Sequence, residues 1–268
     1  MPAIYPARLK TQVEELVKQS GNPKAFVHNL HSLLDFYSNR SFKPGQSGEP
    51  SPLIAQYNVP PPVLRKVITD LKPFIILDQQ IALNLIDALW AEPFLEFKQL
   101  AAKLLGLVQP NPPEVIFDRI FAWRTSKCDD QLQRTVVIEG STRLRQEMPN
   151  EYLHQVKNWL ADENIVIQQI GLQAIHALLS QNQFGNLPAI FRVLTPQIRS
   201  PQPQLRADIL EVVELLARNS PQETAAFLKQ NLVHKAESPA ILWIIRKSVH
   251  FFPSEIQESL RIILRGEK

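Results

Sequence analysis

The chain is predicted to be all-α, a HEAT-like helical-repeat solenoid (an α-α superhelix), and three observations predict it. Tryptophans recur at matching places, Trp90, Trp123 and Trp159, each near the end of an apolar helical stretch just before a polar turn, and Ile198 and Leu232 keep the beat in two further segments. The period is roughly 33 to 39 residues, within or near the range of tandem helix pairs. Apolar residues follow helical spacing, most plainly Ile209, Val212, Val213 and Leu216 at i, i+3, i+4 and i+7, and no segment alternates at the period of a strand. The 268 residues include 8 glycines and 22 prolines, and the prolines are expected between apolar runs, at turns or in first helical turns. A single helix pair cannot bury its apolar face, so neighbours are expected to stack into a curved array with a concave groove suited to long partners.

Two helices are expected over residues 6–20 and 23–40, the second opened by Asn22-Pro23, an N-cap followed by proline at the first helical position. Residues 41–52 carry glycine, serine and proline without apolar periodicity and read as a flexible loop. A helix beginning at Asn58 to Pro62 carries Val63, Leu64, Val67, Ile68 and Leu71. Helix pairs then follow at 77–91 with 94–108, 113–124 with 129–145, 150–160 with 164–181, 186–198 with 203–218, and 221–232 with 238–252. The second helix of each pair is expected to line the groove, and a last helix over 254–265 to cap the stack. Domain organisation is read as an N-terminal helical pair and loop over 1–53, continuous in one domain with the repeat solenoid over 54–268.

Composition narrows the class. An apolar fraction of 44% is ample for a core, which excludes a wholly disordered chain. The single cysteine, Cys128, cannot form an internal disulfide, so a reducing, cytoplasmic location is expected. No signal-peptide core opens the chain and no apolar run approaches the length of a membrane span, so neither export nor membrane insertion is expected. The balance of 29 basic against 26 acidic residues gives +3, which permits a local cationic patch without demanding one.

Local signatures of chemistry are few. The sequence has no glycine-rich phosphate loop, no HExxH, no paired CxxC and no GxSxG. Of the six histidines only His28 and His31 share a helical face, with no cysteine or carboxylate at ligand spacing, so no metal and no cofactor is expected. Asp129 and Asp130 stand at the start of a helix, where carboxylates favour the free amides and the positive end of the dipole. Their sharper reading is a carboxylate that stabilises positive charge developing in the groove. Basic residues recur on the second helices: Arg65, Lys66, Lys98, Lys103, Arg134, Arg206, Arg246 and Lys247. Aimed into one groove, they would track a nucleic-acid backbone at successive phosphates. The alternation with Glu96, Glu211 and Glu214 equally fits a solvated face.

The stretches VPPPVLRKVITDL from Val59, IDALWAEPFLEFKQLAAKLLGLV from Ile86 and VKNWLADENIVIQQIGLQAI from Val156 follow one another in order and spacing. In this the chain resembles bacterial AlkD-type alkylpurine DNA glycosylases of the DNA alkylation repair type, over about residues 57–250. The resemblance implies a DNA-binding groove in which a carboxylate, tryptophans and a phosphate-holding arginine excise cationic alkylated purines. The positions that match those residues carry Gln133 in place of the aspartate, Gln169 in place of the arginine and Glu211 in place of a tryptophan. Glutamine is neutral and cannot supply the field that a carboxylate gives an oxocarbenium ion. The expectation is therefore a degenerate member that binds double-stranded DNA or another nucleic acid without base excision. Two alternatives stand beside it: a glycosylase with a rearranged site built on Asp129 or Asp130, and a scaffold whose groove receives a protein partner.

Overall fold

The computed structural model describes residues 4–39, 54–125, 130–180, 185–232 and 239–265. Among them are fifteen α-helices and two short 3-10 turns, and no strand beyond a single bridge between Ala55 and Phe94. The fold is all-α and helical-repeat, as predicted. No helix among the described residues is long and apolar enough to cross a membrane. The chain divides into two compact units, Met1–Glu147 and Met148–Lys268.

The first unit holds α1 (Pro6–Val17), α2 (Pro23–Tyr37), α3 (Pro61–Leu77), α4 (Gln79–Ala91), α5 (Leu95–Leu105), α6 (Glu114–Thr125), α7 (Asp130–Gly140) and α8 (Thr142–Glu147). Asn22 caps α2 as the sequence predicts, its side chain accepting from the Ala25 amide at 3.2 Å, and Asp78 does the same for α4 through Ile81 at 3.0 Å. Helices α1, α3, α5 and α7 pack side by side in one row, while α2 packs on α4. The tryptophan beat has a physical cause here. The rings of Trp90 and Trp123, at the ends of α4 and α6, stack with centroids 4.4 Å apart and planes 9° from parallel. Arg119 of α6 adds a forked pair to Asp87 of α4, at 2.9 and 2.7 Å.

The second unit holds α9 (Pro149–Leu160), α10 (Ile165–Ser180), α11 (Leu187–Arg199), α12 (Arg206–Asn219), α13 (Pro221–Gln230), α14 (Pro239–Ser248) and α15 (Ser254–Arg265). Again the second helices form a row, α10 on α12 and α12 on α14, with α11 beside α9. Ile209, Val212, Val213 and Leu216 are all buried, so the periodic face of α12 is its core face. Trp159 and Ile198 lie buried at the ends of α9 and α11. Helix α15 packs on α13 and α14.

The structure corrects several element boundaries. The helix expected over 129–145 breaks at Ser141 into α7 and α8. The Ser141 hydroxyl donates to the Val137 carbonyl at 2.6 Å, and buried Arg145 donates to the Ile138 carbonyl at 2.6 Å and to Ser141 Oγ. These side chains take over carbonyls at the break. The turn after α5 docks against the same place, with the Arg143 amide donating to the Gly106 carbonyl at 3.1 Å. The expected helices 203–218 and 238–252 each give one end to a 3-10 turn, at Pro203–Leu205 and Val249–Phe251. Pro73 and Pro196 lie inside α3 and α11, against the expectation that prolines fall between helices. Both are exposed and in the last turns of their helices, where water can satisfy the carbonyl each leaves without a donor. The 41–52 loop lies outside the described residues, as do Cys128 and His234.

Candidate nucleic-acid interface

In the first unit the row of second helices turns polar stripes away from its core. On α3, Val63, Val67, Leu71 and Ile75 are buried, while Arg65, Thr69 and Lys72 at i, i+4 and i+7 are exposed. On α5, Leu100, Ala101, Leu104 and Leu105 are buried and Gln99 and Lys103 half-buried. On α7, Leu132, Val136 and Val137 are buried, with Gln131 exposed and Arg134 half-buried. Thus each of three successive packed helices keeps at least one cationic side chain outside its buried face. Lys72 was not among the residues singled out from the sequence; its place one helical turn beyond Thr69 on the Arg65 stripe is the signal that would have found it.

Not every cation is equally available. Lys66 pairs with Asp70 at 2.8 Å within α3. Lys98 donates to the Trp90 carbonyl at 2.7 Å and lies 4.5 Å from the Trp90 ring centroid, so it closes the last turn of α4 by charge, hydrogen bond and cation–π contact together.

Gln133, at the position the resemblance gives to the carboxylate, accepts a hydrogen bond from Arg124 Nη1, and Arg124 is buried. Sequence reading missed Arg124, because a lone arginine near a helix end carries no sign of burial. Asp130 is the first residue of α7 and is exposed, where it favours the amide end of the helix dipole. Asp129 lies outside the described residues.

In the second unit α10 presents Gln169 and Gln173 to a buried carboxylate on α12. Gln169 Nε2 donates to Asp208 Oδ2 at 3.0 Å and Gln173 Nε2 to Asp208 Oδ1 at 3.4 Å, with Asp208 only 4% exposed. Glu211 follows one turn along α12, half-buried, and Glu214 is ion-paired with Arg218. The structure therefore brings Gln169 and Asp208 together, and Asp208 is a third residue, after Lys72 and Arg124, that the sequence did not single out. Arg206 stands at the start of α12 with its guanidinium 4.9 Å from the centroid of the half-buried Trp243 on α14. Arg246 and Lys247 are exposed in the last turn of α14, where cations also favour the helix dipole. Trp243 escaped the sequence reading because it falls outside the repeat beat.

Among the described residues no group of three or more histidine, cysteine, aspartate or glutamate side chains is arranged to hold a metal ion. Comparison with protein families matches residues 54–245 to the family described as DNA alkylation repair enzyme. No curated protein and no solved structure matched the chain.

Proposed function

The chain belongs to the DNA alkylation repair enzyme family, which ties it to DNA repair, and on that premise we propose that it binds double-stranded DNA or another nucleic acid through the outward faces of its second helices and does not excise bases. The observation that carries the reading is the recurrence of Arg65 with Lys72, Lys103 and Arg134 on three packed helices. Packed helices lie about 8–10 Å apart. That step spans roughly two to three base pairs of duplex at 3.4 Å each, so one cation per helix suits every second or third phosphate of a strand. Arg206 with Trp243, Arg246 and Lys247 offer the second unit a cationic and aromatic patch of the same chemistry.

The absence of excision follows from electrostatics at Gln133. A neutral amide, hydrogen-bonded by Arg124, stands where the resemblance gives a carboxylate, and it supplies no negative field to an oxocarbenium ion. The half-buried Glu211 and Glu214 on α12, interspersed with the cations of the second unit, favour a second reading, in which the second unit receives a protein partner.

Fluorescence anisotropy against undamaged and abasic duplexes tests the proposal. With four phosphates neutralised, affinity should fall about a hundredfold between roughly 50 and 200 mM salt. No binding at the lower salt would remove the nucleic-acid reading and leave the protein scaffold. Release of an N-methylated purine from duplex DNA would overturn the non-catalytic part, and its loss in the Asp129→Asn, Asp130→Asn double variant would place the chemistry on those residues.

A further inference from the structure

A cavity of about 400 Å³ opens between α9 and α11 of the second unit. Its lining residues come from those two helices and the Ala161 turn, none from α10, α12 or α14, so it is separate from the second-helix faces. Each helix gives it one stripe. Leu153, Lys157 and Leu160 lie at i, i+4 and i+7 of α9, and Ala189, Val193 and Pro196 at i, i+4 and i+7 of α11. Ala161, Ala189 and Pro196 contribute short side chains to the lining. Its floor is fixed: Leu160 is buried, its carbonyl accepts from Gln197 Nε2 of α11 at 2.7 Å, and its side chain is wedged against Gly171 of α10.

The chemistry of the lining is one-sided. The floor is aliphatic, the lining includes no acidic residue, and Lys157 and Arg192 stand at the rim with His154 and Asn150. Lys157 and Arg192 are exposed, and no ion pair engages either among the described residues. A volume in the range of small-molecule sites, roughly 300–1,000 Å³, with an apolar body and a few polar groups at one edge is the usual form of a ligand pocket. We infer that this pocket binds a small amphipathic anion, an apolar or aromatic body seated on Leu153, Leu160 and Val193 with a single carboxylate, sulfonate or phosphate between Lys157 and Arg192. The planar guanidinium of Arg192 suits a forked contact with two oxygens of such a group, and Lys157 adds a point charge.

The test titrates the full chain with 8-anilinonaphthalene-1-sulfonate, an aromatic anion whose fluorescence rises on entering an apolar site, and with uncharged N-phenyl-1-naphthylamine of nearly the same shape. The expected result is one saturable site for the sulfonate, at least tenfold tighter than for the uncharged dye. The Lys157→Ala, Arg192→Ala double variant should lose that tenfold preference, and Ala189→Phe, which fills the cavity, should lose both dyes while keeping its helical circular dichroism. Should Ala189→Phe fail to fold, the charge-pair variant, altered only at exposed side chains, still decides. Absence of a saturable site, equal affinity for the two dyes, or binding undiminished in the charge-pair variant would overturn the inference.

Discussion

A methyl group added at Gly171 would lie 2.7 Å from Leu160 Cγ and 3.2 Å from the Leu160 backbone nitrogen, and one at Gly106 would lie 2.0 Å from the Glu139 carbonyl oxygen. Both glycines let helices approach more closely than any side chain allows, α10 onto α9 and the end of α5 onto α7. Gly171→Ala is therefore expected to cost about 1–3 kcal/mol despite its better helix propensity, and Gly106→Ala, which meets backbone, more. Gly21 has nothing within 4 Å of the same position, so Gly21→Ala should change stability by less than about 0.5 kcal/mol. Urea unfolding of the three variants checks the order. Tyr57 and Tyr37 make a second expectation at this scale. Burial pushes both phenols up from their ordinary value, with the charges of Asp35, Glu96 and Glu92 adding to the rise at Tyr57 and Arg8 opposing it at Tyr37. A phenol raised on folding leaves stability intact below its unfolded value near 10 and costs it as pH climbs through the folded one. Stability measured by urea between pH 8 and 11 should fall on the alkaline side, and Tyr57→Phe should flatten that fall.

At the scale of elements, the segment before α3 is tied down by a polar cluster rather than by a helix. His31 of α2 bonds Tyr57 Oη through Nδ1 at 2.7 Å and Glu92 Oε2 through Nε2 at 2.9 Å, and its ring lies 4.3 Å from that of Phe97. The Asn58 amide, on a residue with φ of 55°, donates to buried Glu96 at 2.7 Å, and the Leu95 amide donates to the Ala55 carbonyl at 2.8 Å. His31→Ala should release residues 54–60 from the α4–α5 turn, cost about 1–3 kcal/mol, and speed hydrogen exchange at Asn58 and Leu95. Unchanged exchange at both amides would show that the cluster does not hold the segment. The sequence announces elements far better than it announces this kind of tie. Asn22, Asp78 and Asn186 each accept a hydrogen bond from the amide three residues on, so helix starts were legible from local chemistry. The tryptophan beat was legible from its spacing, and Trp90 and Trp123, one repeat apart, stack on each other. The break at Ser141, the retention of Lys98 by Trp90 and the burial of Arg124 and Asp208 were not. Each depends on which helix another part of the chain places alongside, and a window of neighbouring residues does not contain that information.

At the scale of the molecule, the division into Met1–Glu147 and Met148–Lys268 gives each unit its own core. The first is built around residues such as Leu34, Leu71, Leu85 and Phe97, the second around Tyr152, Ile175, Leu216 and Ile244. Residues 148–268 expressed alone are expected to fold cooperatively, with helical circular dichroism and a single urea transition, since their apolar rows find partners within the unit. The proposed binding face then partitions between the units in a measurable way. In a phosphate-tracking protein the logarithm of affinity falls with the logarithm of salt by about 0.9 for each phosphate neutralised. Replacing Arg65, Lys103 and Arg134 together by alanine should reduce that slope for the full chain by up to about 2.7, and weaken binding uniformly across duplex sequences. Lys24→Ala supplies the control, because Lys24 is exposed on α2, which packs on α4 and stands outside the row of α1, α3, α5 and α7. A lowered slope with unchanged urea stability would mean that the first unit carries the phosphate track. A slope equal to that of the unaltered chain would leave the first unit's cations as a solvated surface, and would move the nucleic-acid contact to Arg206, Trp243, Arg246 and Lys247 of the second.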